Sequence, residues 1–115
     1  MKNIGIDIVE NNRFLSFVEN PRKYQRILSA KEKDLFLKIS NKSRKLEYLA
    51  GRFAAKEAVI KCLAYTDYKA CYSEISILNK EGGSPYVEME NENYKILLSI
   101  SHSNQNTIAV AVLIE

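Results

Sequence analysis

One stretch constrains this chain more than any other: Leu46 to Ala64, which reads LEYLAGRFAAKEAVIKCLA. An α-helix turns about 100° per residue. On that wheel Leu46, Leu49, Ala50, Phe53, Ile60 and Ala64 share one face, the stripe a helix buries. Glu57 falls in the middle of the same stripe. A carboxylate among apolar side chains needs a cation, a set of donors or a raised pKa. Lys61 stands one turn on, at i+4, within reach along a helix surface. A metal ion shared with a second carboxylate is the other solution.

The second carboxylate is at the start of the chain. In NIGIDIVE, Asn3 to Glu10, Ile4, Ile6 and Ile8 alternate with Gly5, Asp7 and Val9. That is a strand pattern with both faces mostly apolar, so Asp7 is expected to be buried. Gly5, two residues away on the same face, is expected to leave open space beside it. The plain alternative is that Asp7 caps a turn into the next helix.

The rest of the chain divides readily. Asn11 or Asn12 is expected to cap a short helix through Val18, with Phe14, Leu15 and Val18 on its apolar face, and Pro21 to stop it. Ser29 and Glu32 form an S-x-x-E capping box for a helix to about Ser40, with Leu35, Phe36 and Ile39 inward. Asn41 to Lys45 reads as a polar loop before the central helix. Strands are expected at Glu74–Leu78, Tyr86–Met89, Tyr94–Ser103 and Thr107–Glu115, with turns at Glu81–Pro85, Asn91–Asn93 and Asn104–Thr107. The order β-α-α-α-β-β-β-β predicts an α+β fold, an antiparallel sheet packed on one long helix and shorter helices.

At 115 residues the chain suits one domain, residues 1–115. No apolar run reaches the roughly 18 residues of a membrane helix, so no membrane association is expected. Asp7 and Glu10 interrupt the first apolar run, unlike a secretory signal, and a cytoplasmic location is expected. Cys62 and Cys71 lack metal spacing and are expected to be free and buried. A net charge of +3 favours an acidic partner but is too weak to argue for nucleic acid. The basic stretch Arg13, Arg22, Lys23 and Arg26 is either a solvated face or a docking patch for an acidic helix.

From the residues alone three accounts stand. Asp7 and Glu57 share a divalent cation, a hard oxygen site that suits magnesium. Or Glu57 pairs with Lys61 and Asp7 caps a turn, the simplest account. Or the chain is a basic binding module, although it lacks basic residues interleaved with aromatics.

GIDIVE at residues 5–10, RILS at 26–29, EYLAGRFAAKEAVIK at 47–61 and SISHS at 99–103 occur in that order. Together they resemble the bacterial holo-[acyl-carrier-protein] synthases, the phosphopantetheinyl transferases of fatty-acid synthesis. The resemblance implies a 4′-phosphopantetheinyl transferase-like fold. It implies transfer of phosphopantetheine from coenzyme A to a serine of an apo acyl carrier protein, with release of 3′,5′-ADP. It places Asp7 and Glu57 at the magnesium ion and Glu57, Lys61 and His102 at the chemistry. Arg52, Lys61, Ser101, His102 and Ser103 match positions that line the coenzyme A site, and Arg13, Arg22 and Arg26 match carrier-docking arginines. It further implies a homotrimer with sites between subunits. Arg52 projects away from the Glu57 stripe and would then serve a neighbouring subunit's site. Glu57, Asp7, a water beside the metal and His102 all remain candidates for the base that takes the serine proton, with a carboxylate-held water preferred. Two departures stand out. The glycine-rich turn after the central helix is here Ala64 to Tyr68, and the lysine of a G-K-P turn is Ser84. Lys42, Arg44 or Lys45 would have to compensate at the nucleotide.

Overall fold

In a computed structural model that describes residues 1–91 and 93–114, the chain runs β1 (Asn3–Glu10), α1 (Pro21–Tyr24), α2 (Ala30–Leu37), α3 (Lys42–Cys62), β2 (Ser76–Asn79), β3 (Pro85–Glu88), β4 (Ile96–His102) and β5 (Asn106–Leu113). Short 3-10 turns cover Asn11–Phe14 and Tyr72–Glu74. The expected turn at Asn91–Asn93 includes Glu92, and the expected last strand ends at Glu115. Both residues lie outside the described ones.

The central helix begins earlier than its apolar pattern suggests. Asn41 is its N-cap, and its side chain accepts the Arg44 N–H at 3.0 Å. The expected loop over Asn41–Lys45 is therefore the cap and first turn of α3. The expected stripe is also too narrow. Leu49, Ala50, Phe53, Ala54, Ala55, Ala58, Val59 and Cys62 are all buried, whereas Leu46 and Ile60 are half-buried and Ala64 is exposed. A run of small residues makes α3 slim, so that β1, β4, β5, β2 and the first 3-10 turn pack around it from several sides.

Two antiparallel sheets flank it, as the α+β expectation requires. One has the order β1-β5-β4 and the other is the β2-β3 hairpin. β5 pairs with β4 as the expected second hairpin and also with β1, setting Asp7 opposite Ala109 and His102 opposite Thr107. On β1 the odd residues Gly5, Asp7 and Val9 face α3, and Ile4, Ile6 and Ile8 point away, more than half exposed. Gly5 does not leave open space. A Cβ there would lie 2.0 Å from the Ala58 carbonyl oxygen and 2.8 Å from the Cys62 nitrogen. Strand and helix backbones touch at this point, and the absence of a side chain is what allows it.

The first connection differs from expectation. No helix runs to Val18; Leu15 is 50% exposed, while Phe14 and Val18 are buried. Asn11 caps nothing. Its side chain instead reaches the β4–β5 turn, donating to the Ser103 and Asn104 carbonyls at 3.0 and 3.3 Å. Pro21 starts α1 rather than stopping a helix, with Asn20 as cap. The Ser29–Glu32 capping box forms as expected. α2 ends at Leu37, with Phe36 buried but Leu35 45% exposed. Cys62 is buried, and burial pushes its thiol up to about 11, whereas Cys71 is exposed, contrary to expectation.

Glu32 does more than cap. It is fully buried against Lys56, itself 0% exposed. The Lys56 ammonium donates to the Glu32 carboxylate, to the Ile27 carbonyl at 2.6 Å and to the Tyr72 carbonyl at 2.8 Å. Glu32 in turn accepts the Ser29 N–H at 2.8 Å and the Ile77 N–H at 2.7 Å. One ion pair thus joins the segment before α2, α2, α3, the Tyr72–Glu74 turn and β2.

Because both atoms facing Gly5 are backbone, Gly5→Ala has no rotamer to relieve it. The variant is expected to lose about 3 kcal/mol or more in urea unfolding, at the upper end of overpacking costs. A loss below about 1 kcal/mol would show that β1 moves off α3 with little resistance.

Candidate active site

β1 and α3 bring Asp7 and Glu57 toward one hydroxyl. Tyr72 donates to Glu57 Oε1 at 3.1 Å. Burial pushes the Tyr72 pKa up, the Glu57 hydrogen bond and charge add to the rise, Arg13 opposes it, and Asp7 adds a smaller upward share. The tyrosine hydroxyl therefore sits within electrostatic reach of both carboxylates and of Arg13. The Arg13 guanidinium lies 4.9 Å from the Phe53 ring and 5.5 Å from that of Phe14. Phe53 and Tyr72 stack at 5.4 Å, and the Lys56 bond to the Tyr72 carbonyl fixes the same residue from behind. Nothing in the sequence links Tyr72 to Glu57; the residues are 15 apart and joined only by the fold.

Lys61 does not turn to Glu57. Its ammonium crosses to β1, donating to the Ile6 carbonyl at 2.9 Å and to Asp7 Oδ1 at 3.2 Å. The expected i+4 pair is corrected on this point: Asp7, on the strand that Gly5 brings close, is the nearer acceptor. The Lys61 side chain stays 54% exposed, and its ammonium keeps a third N–H beyond these two bonds.

The Asp7 side chain is only 17% exposed, and its Oδ2 is buried with no hydrogen-bond partner. A buried carboxylate oxygen without a donor is costly. Two half-buried carboxylates, one with an unfilled oxygen, form a donor set that fits a hard divalent cation. Among the described residues no group of three or more His, Cys, Asp or Glu side chains gathers for a metal. The rest of the shell would be ligand and water oxygens, as is common for magnesium.

A second cluster lies on the N-terminal half of α3. Arg44, Arg52 and His102 line a cavity of about 180 Å³ with Glu47, Tyr48 and Gly51. Arg52, expected to project away, is 7% exposed, and burial pushes its guanidinium pKa down. It lies 4.4 Å over the Tyr48 ring and donates to Asn79 Oδ1 at 2.9 Å, while its Nε is buried without a partner. Asn79 also donates to the Gly83 carbonyl at 2.8 Å, which ties Arg52 to the β2–β3 turn. Of the three basic residues expected to compensate for Ser84, Arg44 faces this cavity. Lys42 pairs with Glu19 at 3.5 Å and Lys45 lies 4.8 Å over Phe36. From Gly51 to Glu57 is about 9 Å along the helix and about 120° around it. One chain thus presents two separate clusters.

The remaining candidates spread further. Ser101 lies on the outer face of β4 opposite Ile108, away from the face carrying His102. Ser103 belongs to the β4–β5 turn, where its hydroxyl accepts the Asn106 N–H at 3.0 Å. Arg22 and Arg26 are exposed. After α3, where the family resemblance has a glycine-rich turn and this chain has none, Thr66 builds the turn, donating to the Leu63 carbonyl at 2.7 Å and accepting the Tyr68 N–H at 3.2 Å. No non-glycine residue there takes a positive φ.

Comparison with known proteins bears on these clusters. Residues 3–113 match the family described as the 4′-phosphopantetheinyl transferase superfamily. A holo-[acyl-carrier-protein] synthase of Petrotoga mobilis is 38% identical over 100% of this chain and 98% of that protein. A holo-(acyl-carrier-protein) synthase from Bacillus anthracis, solved with CoA (3′,5′-ADP), superposes with a TM-score of 0.85 at 35% identity, covering 97% of this chain and 95% of that one. The Helicobacter pylori holo-[acyl-carrier-protein] synthase in complex with coenzyme A gives 0.78 at 31% identity, over 96% and 98%. With end-to-end matches in sequence and in fold, the chain belongs to the 4′-phosphopantetheinyl transferase superfamily.

Proposed function

We propose that the chain transfers the 4′-phosphopantetheine group of coenzyme A to a serine of an apo acyl carrier protein, releasing 3′,5′-ADP. Relatives that share its whole length carry that activity in their names, and two of them were solved with coenzyme A. The observation in this chain that supports the reading most directly is the Asp7–Glu57 pair with its unfilled buried oxygen.

Asp7 and Glu57 would hold magnesium, which when bound would supply charge neutralisation at the diphosphate of coenzyme A. Tyr72 donates to one oxygen of Glu57, and the other would be available to such an ion. Lys61 places its free N–H toward a phosphate oxygen, a second cationic contact where charge develops. The serine oxygen bonds to the β-phosphorus as the bond from that phosphorus to the departing 3′,5′-ADP oxygen breaks, and the serine proton passes to a water hydrogen-bonded to the carboxylates. Arg44, Arg52 and His102 take the nucleotide end of coenzyme A.

Since the two clusters lie on different sides of α3, a complete site takes one cluster from each of two subunits of a homotrimer. The outer face of the β1-β5-β4 sheet supports self-association. Ile4, Ile6 and Ile8 are 52, 55 and 64% exposed, and Leu97 and Ile108 continue the patch at 56 and 38%. Residues 1–115 act as one catalytic domain per subunit. The exposed arginines Arg13, Arg22 and Arg26 dock an acidic helix of the carrier. The reaction serves fatty-acid synthesis in the cytoplasm. Among the described residues no helix is long and apolar enough to cross a membrane.

The direct test is the intact mass of an apo acyl carrier protein incubated with this chain and coenzyme A. A gain of one phosphopantetheine that excess chelator abolishes is expected; no gain with magnesium present would overturn the reading. Glu57→Gln is expected to lower kcat/KM on the order of 100-fold while circular dichroism stays unchanged. Full activity at saturating magnesium would remove Glu57 from the metal. Tyr72→Phe is expected to weaken manganese binding, followed by electron paramagnetic resonance of the free protein, roughly tenfold. An unchanged manganese affinity would leave the tyrosine a packing residue. Arg13→Glu is expected to raise KM for the carrier about tenfold through lost charge complementarity, with KM for coenzyme A unaltered. Equal effects on both substrates would contradict a docking role.

A further inference from the structure

The hydrogen bonds behind His102 determine which of its nitrogens carries the proton. Asn11 is 2% exposed and Thr107 is 0% exposed, so neither has water as an alternative partner. The Asn11 side chain meets two carbonyls, Ser103 O at 3.0 Å and Asn104 O at 3.3 Å. Only its NH₂ group can make both bonds, so the atom 2.7 Å from Thr107 Oγ1 is Oδ1. A carbonyl oxygen only accepts, hence the Thr107 hydroxyl donates to Asn11. A hydroxyl has one hydrogen to give. The 2.9 Å contact between Thr107 Oγ1 and His102 Nδ1 must therefore be an N–H donated by the histidine. Cross-strand pairing of His102 with Thr107 fixes the geometry.

We infer that Asn11 and Thr107 are positioning residues that hold His102 as its Nδ1–H tautomer, with Nε2 the one nitrogen turned to the cavity of Arg44 and Arg52. The ring edge rests on Gly51, where an added Cβ would lie 3.1 Å from Cε1 and 3.6 Å from Nε2. The 4-substituted ring of a free histidine side chain favours the Nε2–H tautomer, so the chain reverses the intrinsic preference. The Nδ1 bond is the same in the neutral and the cationic ring. Nε2 is therefore the nitrogen whose hydrogen-bonding role differs between the two forms. In the neutral ring Nε2 presents a lone pair to a cavity that also holds Arg44, Arg52 and Glu47. In the protonated ring the Nε2–H is free to donate to a phosphate oxygen held beside the two guanidiniums. That the phosphate belongs to coenzyme A rests on the function proposed above; the tautomer does not.

The chain has a single histidine, so a long-range proton–nitrogen spectrum of the ¹⁵N-labelled protein contains one imidazole. In alkaline buffer without ligand, Nδ1 is expected to be the protonated nitrogen and Nε2 the unprotonated one. Thr107→Val is expected to shift the ring to Nε2–H, and Thr107→Ser to restore Nδ1–H. In kinetics Thr107→Val is expected to raise KM for coenzyme A about tenfold with kcat little changed, and Thr107→Ser to recover it. An Nε2–H ring in the parent protein overturns the inference by itself, even if the valine variant does not fold. So does an Nδ1–H ring in a folded Thr107→Val. These outcomes are independent of the transfer assay, whose failure with an Nδ1–H ring would count against the functional reading alone.

Discussion

The structure depends on one buried ammonium. Lys56 sits at the middle of α3 with every N–H used, and its three acceptors come from three different parts of the chain. Burial pushes its pKa down and Glu32 opposes that shift. Removing either partner would strand the other as a buried charge, which commonly costs about 3–5 kcal/mol. The pair also carries information toward the site. Its bond to the Tyr72 carbonyl sets the residue whose hydroxyl meets Glu57, and its carboxylate anchors β2 through Ile77. The face of α3 that carries Glu57 is thus held from within, by a fully buried residue.

The parts of this arrangement differ in how readable they are from the chain. α3 announces itself by periodicity, the capping box by its spacing, and the hairpins by their turn residues. Glu57 stands out because a carboxylate in an apolar stripe demands a partner. Its neighbour Lys56 looks like one more polar residue of a helix, because no local pattern shows that a helix of small residues will be enclosed on nearly every side. Arg52 deceives for the same reason. Judged against a narrow stripe it points to solvent; inside the real packing it lies over Tyr48 and reaches Asn79.

What stayed hidden is made by long-range contact. Tyr72 reaches Glu57, Lys61 reaches Asp7, and Asn11 reaches the β4–β5 turn, all across gaps that sequence spacing cannot bridge. Asn11 is instructive. Its residue type suits a helix cap, and the preference is overridden because the β4–β5 turn and the buried Thr107 offer it two carbonyls and a hydroxyl at once. Gly5 shows the opposite failure: a missing side chain suggests a void, and the structure uses it for contact between backbones.

The pairing of β1 with β5 joins Asn3 to Leu113, nearly the two ends of the described chain. Such a contact closes a very long loop, and loops of that kind form late in folding. During synthesis β1 emerges first and must wait for its partner until residues 106–113 have left the ribosome. Throughout that interval Ile4, Ile6 and Ile8 travel on an unpaired strand, the kind of segment that aggregates or recruits chaperones. Asp7 rides on the same strand. Although it is made before Glu57, Asp7 is therefore held in its final place only once β5 has paired with β1.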